Sequence, residues 1–337
     1  MSSEPLYARA GVNLGAATRS LELVREAVAA THDERVLAGL GAFGGVFDLS
    51  FLDAYAAPVL VVSTDGVGTK TLVAAAMNDY RSLGRDLVHH CVNDILVQGA
   101  TPLLFMDYLA AAELPPERSA EVIASVAHAC RETGMALLGG ETAEMPGVYR
   151  PGALDLAGTA VGVCERERLV TGAAVRAGDL VYALASSGLH TNGYSLARPV
   201  LEGCYDEPFG DATLGAALLT PHRSYLTTVR ALLAAVPVRG MAHVTGGGIP
   251  GNLPRILGPG LGAVVEFGTW PVPELFGLIQ RRGGVSDAEM LEVFNLGAGF
   301  LLVVAPEEAA ALEKAAPEPL YRIGEIVAGA GVRVVRP

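Results

Sequence analysis

The sequence predicts a mixed α/β (α+β) protein of two domains, and three observations carry that expectation. Short β-branched runs alternate with segments of helical period through both halves of the 337-residue chain. A polar stretch from Thr171 to Gly178 interrupts the pattern, which restarts at Asp179; the expected domains are 1–170 and 171–337. Glycine fills 41 positions, many of them in clusters directly after apolar runs. Glycine there permits tight turns and close backbone approach.

In the first half, Leu21, Val24 and Val28 recur at helical steps and predict a helix over Ala17 to Ala38, stopped by GLGAFGG at Gly39 to Gly45. Pro58 to Ser63 (PVLVVS) predicts a buried strand leading into a loop, TDGVGTK. Gly84 to Gln98 predicts a helix, with Leu87, Val88, Cys91, Val92 and Ile95 on one side. A strand at Leu103 to Leu109, a proline-opened helix at Pro116 to Thr133 and a strand at Met135 to Leu138 follow. The loop GGETAEMPG then leads to a strand at Asp155 to Cys164.

In the second half, the strand LVYALAS enters SSGLHTNG, and helices run to about Ala235. HVTGGGIPGN opens a helix near Leu253. Strands are expected at Ala263 to Phe267 and Gly299 to Ala305, and helices at Pro273 to Arg282 and Asp287 to Phe294. A helix at Glu307 to Ala315 and a final strand close the pattern. Gly-rich loops on both halves predict a site at the seam between them.

Composition removes several function classes. The formal charge of −12 argues against a duplex nucleic-acid binder, which needs a cationic face. No apolar run approaches the ~20 residues that span a bilayer; Leu296 to Ala305 reads as a buried strand. MSSEPLYARAG shows no basic-then-apolar leader. Cys91, Cys130, Cys164 and Cys204 form no CxxC pair, so reduced thiols in a cytoplasmic protein are expected. Of 24 cationic side chains only Lys70 and Lys314 are lysines, which marks Lys70 for attention.

Gly39 to Gly44 spells G-x-G-x-x-G, but it leaves a helix rather than a strand, so a dinucleotide fold is rejected. A flap over a ligand and a plain helix stop remain equal readings. Asp65-Gly66-Val67-Gly68-Thr69-Lys70 combines a carboxylate, free backbone N–H groups, a hydroxyl and an ammonium. Those groups suit a polyphosphate and its Mg²⁺; the alternative is an Asp-Gly turn with a solvated lysine. Asp94 falls at the rim of its helix's apolar stripe, where a carboxylate needs a cation or donated hydrogen bonds; a metal and a buried arginine are equal readings. Glu141 and Glu144 follow a strand as Asp65 does. Asp65, Asp94 and Glu141 either converge on Mg²⁺ or are scattered acids. SSGLHTNG and HVTGGG have the character of anion nests, with His190 either an acid/base or a plain loop histidine.

Seven segments in order resemble the phosphoribosylformylglycinamidine cyclo-ligase (aminoimidazole ribonucleotide synthetase) family: GLGAFGG, TDGVGTK, GRDLVHHCVNDILVQGA, GGETAEMPG, SSGLHTNGYSL, HVTGGGIPGNLPR and FNLGAGF. The resemblance covers nearly the whole chain, starting at Tyr7 to Val12. The wider superfamily holds selenophosphate synthetase, thiamine-monophosphate kinase and a hydrogenase-maturation protein; the GGETAEMPG and SSGxHxNGxS forms favour the cyclo-ligase. The resemblance implies the family's two-domain fold, with the N-terminal domain contributing to a dimeric β-barrel. It implies ATP-dependent closure of formylglycinamidine ribonucleotide to aminoimidazole ribonucleotide, ADP and phosphate.

It further implies Mg²⁺ on Asp65, Asp94 and Glu141, with ATP as co-substrate, no organic prosthetic group, a homodimer, and no nucleic-acid or membrane partner. ATP and its phosphates would meet Gly66, Gly68, Thr69, Lys70 and Asp107, with Gly41, Phe43 and Gly44 in a covering loop. Ser187, His190, Asn192, Thr245, Gly246 and Gly247 would face the second substrate. Lys70 and His190 would act in catalysis. Two departures stand out: Ile249-Pro250-Gly251-Asn252 carries no acid, and Leu296 replaces a common cysteine, which argues against an essential thiol. A small-molecule kinase and a non-catalytic nucleotide-binding partner are the competing expectations.

Overall fold

The computed structural model describes residues 14–336, so Tyr7 to Val12 and Pro337 lie outside the described residues. The chain forms two units, residues 14–92 with 101–165, and residues 93–100 with 166–336.

The first unit comprises α1 (Leu14–Ala29), β1 (Val36–Ala38), β2 (Val46–Phe47), β3 (Pro58–Gly66), α2 (Lys70–Met77), α3 (Leu83–Leu96, whose last turn counts with the second unit), β4 (Thr101–Ala111), α4 (Pro116–Thr133), β5 (Ala136–Glu144) and β6 (Leu154–Glu165). Its four-stranded sheet runs β3-β6-β4-β5. Only the β4·β5 pair is parallel, as a crossover through α4 requires. Residues alternate along β6, so Leu156, Ala160 and their neighbours meet the helices. Glycine allows close packing at two points. A Cβ at Gly84 would strike the backbone of α4, and one at Gly158 would strike Phe105 and Leu87.

Four expectations need correction here. Helix α1 ends at Ala29, not Ala38: a turn closed by Thr31 Oγ1 donating to the Val28 carbonyl precedes β1, which pairs with β2. The Gly39 to Gly45 segment therefore joins two short strands. Strand β3 runs on through Asp65 and Gly66, and β5 through Glu144, because ladder pairing with β6 and β4 continues across both glycine motifs. Finally, β3 is not buried: Leu60 and Val62 are 58% and 56% exposed, on the face opposite the helices.

The second unit comprises β7 (Leu180–Ala185), α5 (Tyr194–Val200), β8 (Pro208–Phe209), β9 (Ala212–Thr213), α6 (Leu214–Leu218), α7 (Leu226–Ala235), β10 (Gly240–His243), α8 (Gly248–Asn252), β11 (Leu261–Glu266), α9 (Glu274–Gly283), α10 (Asp287–Val293), β12 (Ala298–Val304), α11 (Ala309–Ala315), β13 (Leu320–Ala328) and β14 (Gly331–Val335). Its six-stranded sheet has the order β10-β12-β7-β13-β11-β14, with only β11·β14 parallel. Strand β12 is buried along its whole length, as its unbroken apolar run predicts. Val181, Val265, Leu301 and Ile323 form part of the core on one face. Ser286 caps α10 by accepting from the Glu289 N–H.

Candidate active site

In the first unit, strand register builds a row across the sheet: Asp65 on β3 faces Gly158 on β6, which faces Asp107 on β4, which faces Gly140 on β5. Asp65 sits at the strand's end with a side chain 42% exposed, and its Oδ2 lies 2.8 Å from Nε2 of the buried His90. Its Oδ1 accepts from the Gly66 N–H. Glu141 is exposed and two strands farther from Asp65 than β6 is. That separation is roughly 14 Å at the usual inter-strand spacing. These two carboxylates therefore do not converge within the unit.

Asp107 is 8% exposed. It borders a cavity of about 40 Å³ shared with Val24, Val28, Leu137 and the Gly139–Gly140 backbone. A Cβ at Gly140 would collide with the Asp107 carboxylate. Burial pushes the Asp107 carboxyl up to about 7, because the charged form is disfavoured away from water.

Lys70 corrects a sequence expectation. It opens α2, but its side chain is fully buried, and Nζ donates to Asp86 Oδ1 at 2.7 Å. Burial lowers its pKa while Asp86 opposes that shift. An ammonium sealed against a carboxylate is neither the solvated lysine nor the phosphate-facing one that the sequence offered. Gly68 has φ +68° with open space around it, and the Thr71 hydroxyl donates to its carbonyl. In the Gly39 to Gly45 segment, Gly41 takes φ +94° and Phe43 is fully exposed, whereas a Cβ at Gly45 would strike the Leu138 side chain.

In the second unit, the SSGLHTNG loop leaves β7 and enters α5. His190 adopts φ +63°, a left-handed conformation rare outside glycine, and is 1% exposed. The Ser187 N–H donates to its Nε2 at 3.2 Å. Gly193, at φ +82°, packs against the Phe294 ring where no Cβ fits. Asn192 lies beside Gly246, and Asn252 ties the HVTGGG loop by donating to the carbonyls of Gly246 and Gly248. The Thr245 hydroxyl donates to Asn252 Oδ1. Gly247 takes φ +97°.

Asp94 finds a cationic-capable partner, though an imidazole: its Oδ1 is 2.8 Å from His243 Nδ1. His243 Nε2 is 3.0 Å from His222 Nε2, and His222 stacks on His190. The predicted residues His190 and Asp94 thus belong to one buried imidazole cluster. Sequence reading gave no role to His90, His222 or His243. His90 stands one helical turn before Asp94, a spacing that had marked neither as a pair; His222 lies in no motif.

Two family models match the chain. Residues 48–164 match the model "AIR synthase related protein, N-terminal domain", and residues 176–336 match its C-terminal counterpart. The phosphoribosylformylglycinamidine cyclo-ligase of Geobacillus thermodenitrificans (strain NG80-2) is 48% identical, over 97% of this chain and 96% of the relative. The chain belongs to the phosphoribosylformylglycinamidine cyclo-ligase family. The cyclo-ligase of Desulfitobacterium hafniense (strain DSM 10664 / DCB-2) is 49% identical, over 95% of this chain and 96% of the relative. Among solved structures, thiamine-monophosphate kinase from Stenotrophomonas maltophilia K279a superposes with TM-score 0.66 at 19% identity, covering 93% of this chain and 95% of its own. The hydrogenase maturation protein HypE of E. coli gives 0.67 at 20% identity, with 93% of each chain covered. These two share the cyclo-ligase fold, mixed α/β with an N- and a C-terminal domain. Among the described residues, no helix is long and apolar enough to cross a membrane.

Proposed function

We propose that this cyclo-ligase family member closes formylglycinamidine ribonucleotide to aminoimidazole ribonucleotide, converting ATP to ADP and phosphate. The observation that carries the reading is the end-to-end relation to proteins of that name, 44–49% identical over nearly the whole chain. The formyl oxygen is a poor leaving group. Transfer of the γ-phosphoryl group to it creates an iminophosphate, from which phosphate departs as the amidine-side nitrogen attacks the carbon.

The residues divide the work. The backbone N–H groups of Gly66, Gly68 and Thr69 are proposed to face the phosphates. Lys70 holds the start of α2 through Asp86, a positioning role in place of direct phosphate contact. Asp65 and Asp94 are each proposed as hard oxygen donors for Mg²⁺, and the exposed edge of Asp65 fits that use; Glu141, three strands from Asp65 across the sheet, is not proposed for the same ion. When bound, Mg²⁺ supplies charge neutralisation on the polyphosphate. Asp107 borders the nucleotide side, and Gly41, Phe43 and Gly44 cover the site and exclude competing water. Ser187, Asn192, Thr245, Gly246 and Gly247 face the ribonucleotide, and His190 is the proposed acid/base.

The exposed apolar face of Leu60, Val62 and Met106 supports a homodimer through the first unit. Buried thiols at Cys91, Cys130 and Cys164 suit a reducing cytoplasm. The deciding experiment mixes purified protein, ATP, Mg²⁺ and formylglycinamidine ribonucleotide, with chromatographic product analysis. Aminoimidazole ribonucleotide, ADP and free phosphate are expected. A stable phosphorylated product would replace the reading with a kinase.

A further inference from the structure

His222 occupies the centre of the second unit's imidazole cluster and lies outside every cyclo-ligase motif. It is fully buried, as are His190 and His243 to within 4%. Its ring stacks on His190 with centroids 3.9 Å apart and planes 18° from parallel. Its Nδ1 is 3.3 Å from Thr191 Oγ1, and its Nε2 meets both Asn93 Nδ2 at 3.2 Å and His243 Nε2 at 3.0 Å.

A shared metal ion does not explain the three histidines. Lone pairs lie in the ring planes, so near-parallel stacked rings aim theirs along parallel lines rather than at one point. Hydrogen bonding explains them better. The Asn93 amide is oriented from both ends: Oδ1 accepts from the Tyr225 N–H, and Nδ2 donates to the Arg223 carbonyl. The group that Asn93 turns toward His222 is therefore a donor. That makes His222 Nε2 an acceptor, puts its proton on Nδ1 toward Thr191, and leaves His243 Nε2 as the donor in the His243–His222 bond.

We propose that His222 is a positioning residue for this active site: its face is the platform beneath His190, and its Nε2 is the acceptor that fixes the His243 ring. Stacking holds His190 in a left-handed backbone conformation that a residue with a Cβ does not otherwise favour. With Nε2 donating to His222 and Nδ1 donating to Asp94 Oδ1, His243 carries both ring protons, and the acceptor on His222 keeps Nδ1 aimed at the carboxylate. Proton-transfer groups act only within a narrow geometry, so a residue that sets two rings at once governs rate more than affinity.

The test uses the full-length protein with His222→Ala, His222→Gln and His222→Phe, checked for folding by near-UV circular dichroism. For His222→Ala, kcat should fall on the order of tenfold or more, while KM for ATP stays within about twofold. His222→Gln, whose Oε1 also accepts, should recover most of the loss. In ¹⁵N spectra of the ring nitrogens, the wild type should carry the His222 proton on Nδ1, and His222→Ala should shift both His190 and His243. Should His222→Ala fail to fold, His222→Phe keeps the stack and loses the bond, so His243 signals should move and those of His190 should not. A kcat within twofold of wild type, or unmoved His190 and His243 signals, overturns the proposal. The kinetic arm rests on the cyclo-ligase reading; a wild type that forms no aminoimidazole ribonucleotide sinks that reading and leaves the ring nitrogens to decide on His222.

Discussion

Lys70 Nζ lies 2.7 Å from Asp86 Oδ1, and neither side chain touches solvent. Removing one partner of such a pair strands a charge in a medium that cannot solvate it. Asp86→Ala should therefore destabilise the protein by roughly 3–5 kcal/mol, read from urea midpoints. Lys70→Arg should lose stability as well as turnover, because a wide planar guanidinium replaces a compact ammonium in a filled site. Wild-type midpoints for both variants would mean that the pair does not persist in solution.

Asp107 makes a prediction about pH. Burial pushes its folded-state carboxyl up to about 7 from an ordinary 3.8. Between those values the folded protein holds a proton that the unfolded chain has released. The contribution of Asp107 to stability is thus most favourable below the window and falls as pH rises through it, by at most roughly 4 kcal/mol. Asp107→Asn should flatten that part of the profile and be the more stable protein at pH 8. Parallel urea curves for the two proteins at pH 5 and pH 8 would show no difference in slope if burial does not perturb this carboxyl.

Asp94→Asn keeps the volume of the side chain and an oxygen for His243 Nδ1, so the fold should survive. Turnover should fall on the order of a hundredfold, since the carboxylate orients His243 and is proposed for Mg²⁺. Steady-state assays at saturating ATP decide this; near-normal kcat removes Asp94 from the chemistry.

The outward side chains of β3 predict assembly. Leu60→Lys with Val62→Lys puts two charges on the apolar face and should yield monomers by sedimentation velocity. A variant that still sediments as a dimer would place the interface elsewhere.

Much of this was legible in the sequence, for reasons that differ by element. Helix α4 matches its expected bounds because a proline opens it and Gly134, at φ +71°, closes it. The all-buried β12 was visible as one apolar run. Boundaries failed where glycines suggested loops: Gly66 and Gly140 remain in strands because their neighbours supply ladder partners, which single-strand patterning cannot reveal. Motif order singled out Asp65, Asp94 and His190. It could not find Asp86 as the partner of Lys70, sixteen residues away, since two buried charges leave no periodic trace. His222 meets His243 and Asn93 only through tertiary folding.

Helix α3 has one further consequence. Its final turn and the residues after it, Asn93–Ala100, are grouped with the second unit rather than the first. Asn93 donates to the Arg223 carbonyl and accepts from the Tyr225 N–H, 130 and 132 residues downstream, and the Gln98 carbonyl accepts from the Val170 N–H. No single cut can therefore divide this chain into two self-sufficient halves. A gene fragment starting at residue 166 would encode a body missing an internal brace. On the ribosome, that brace must wait for more than a hundred residues of later synthesis before it has anything to hold.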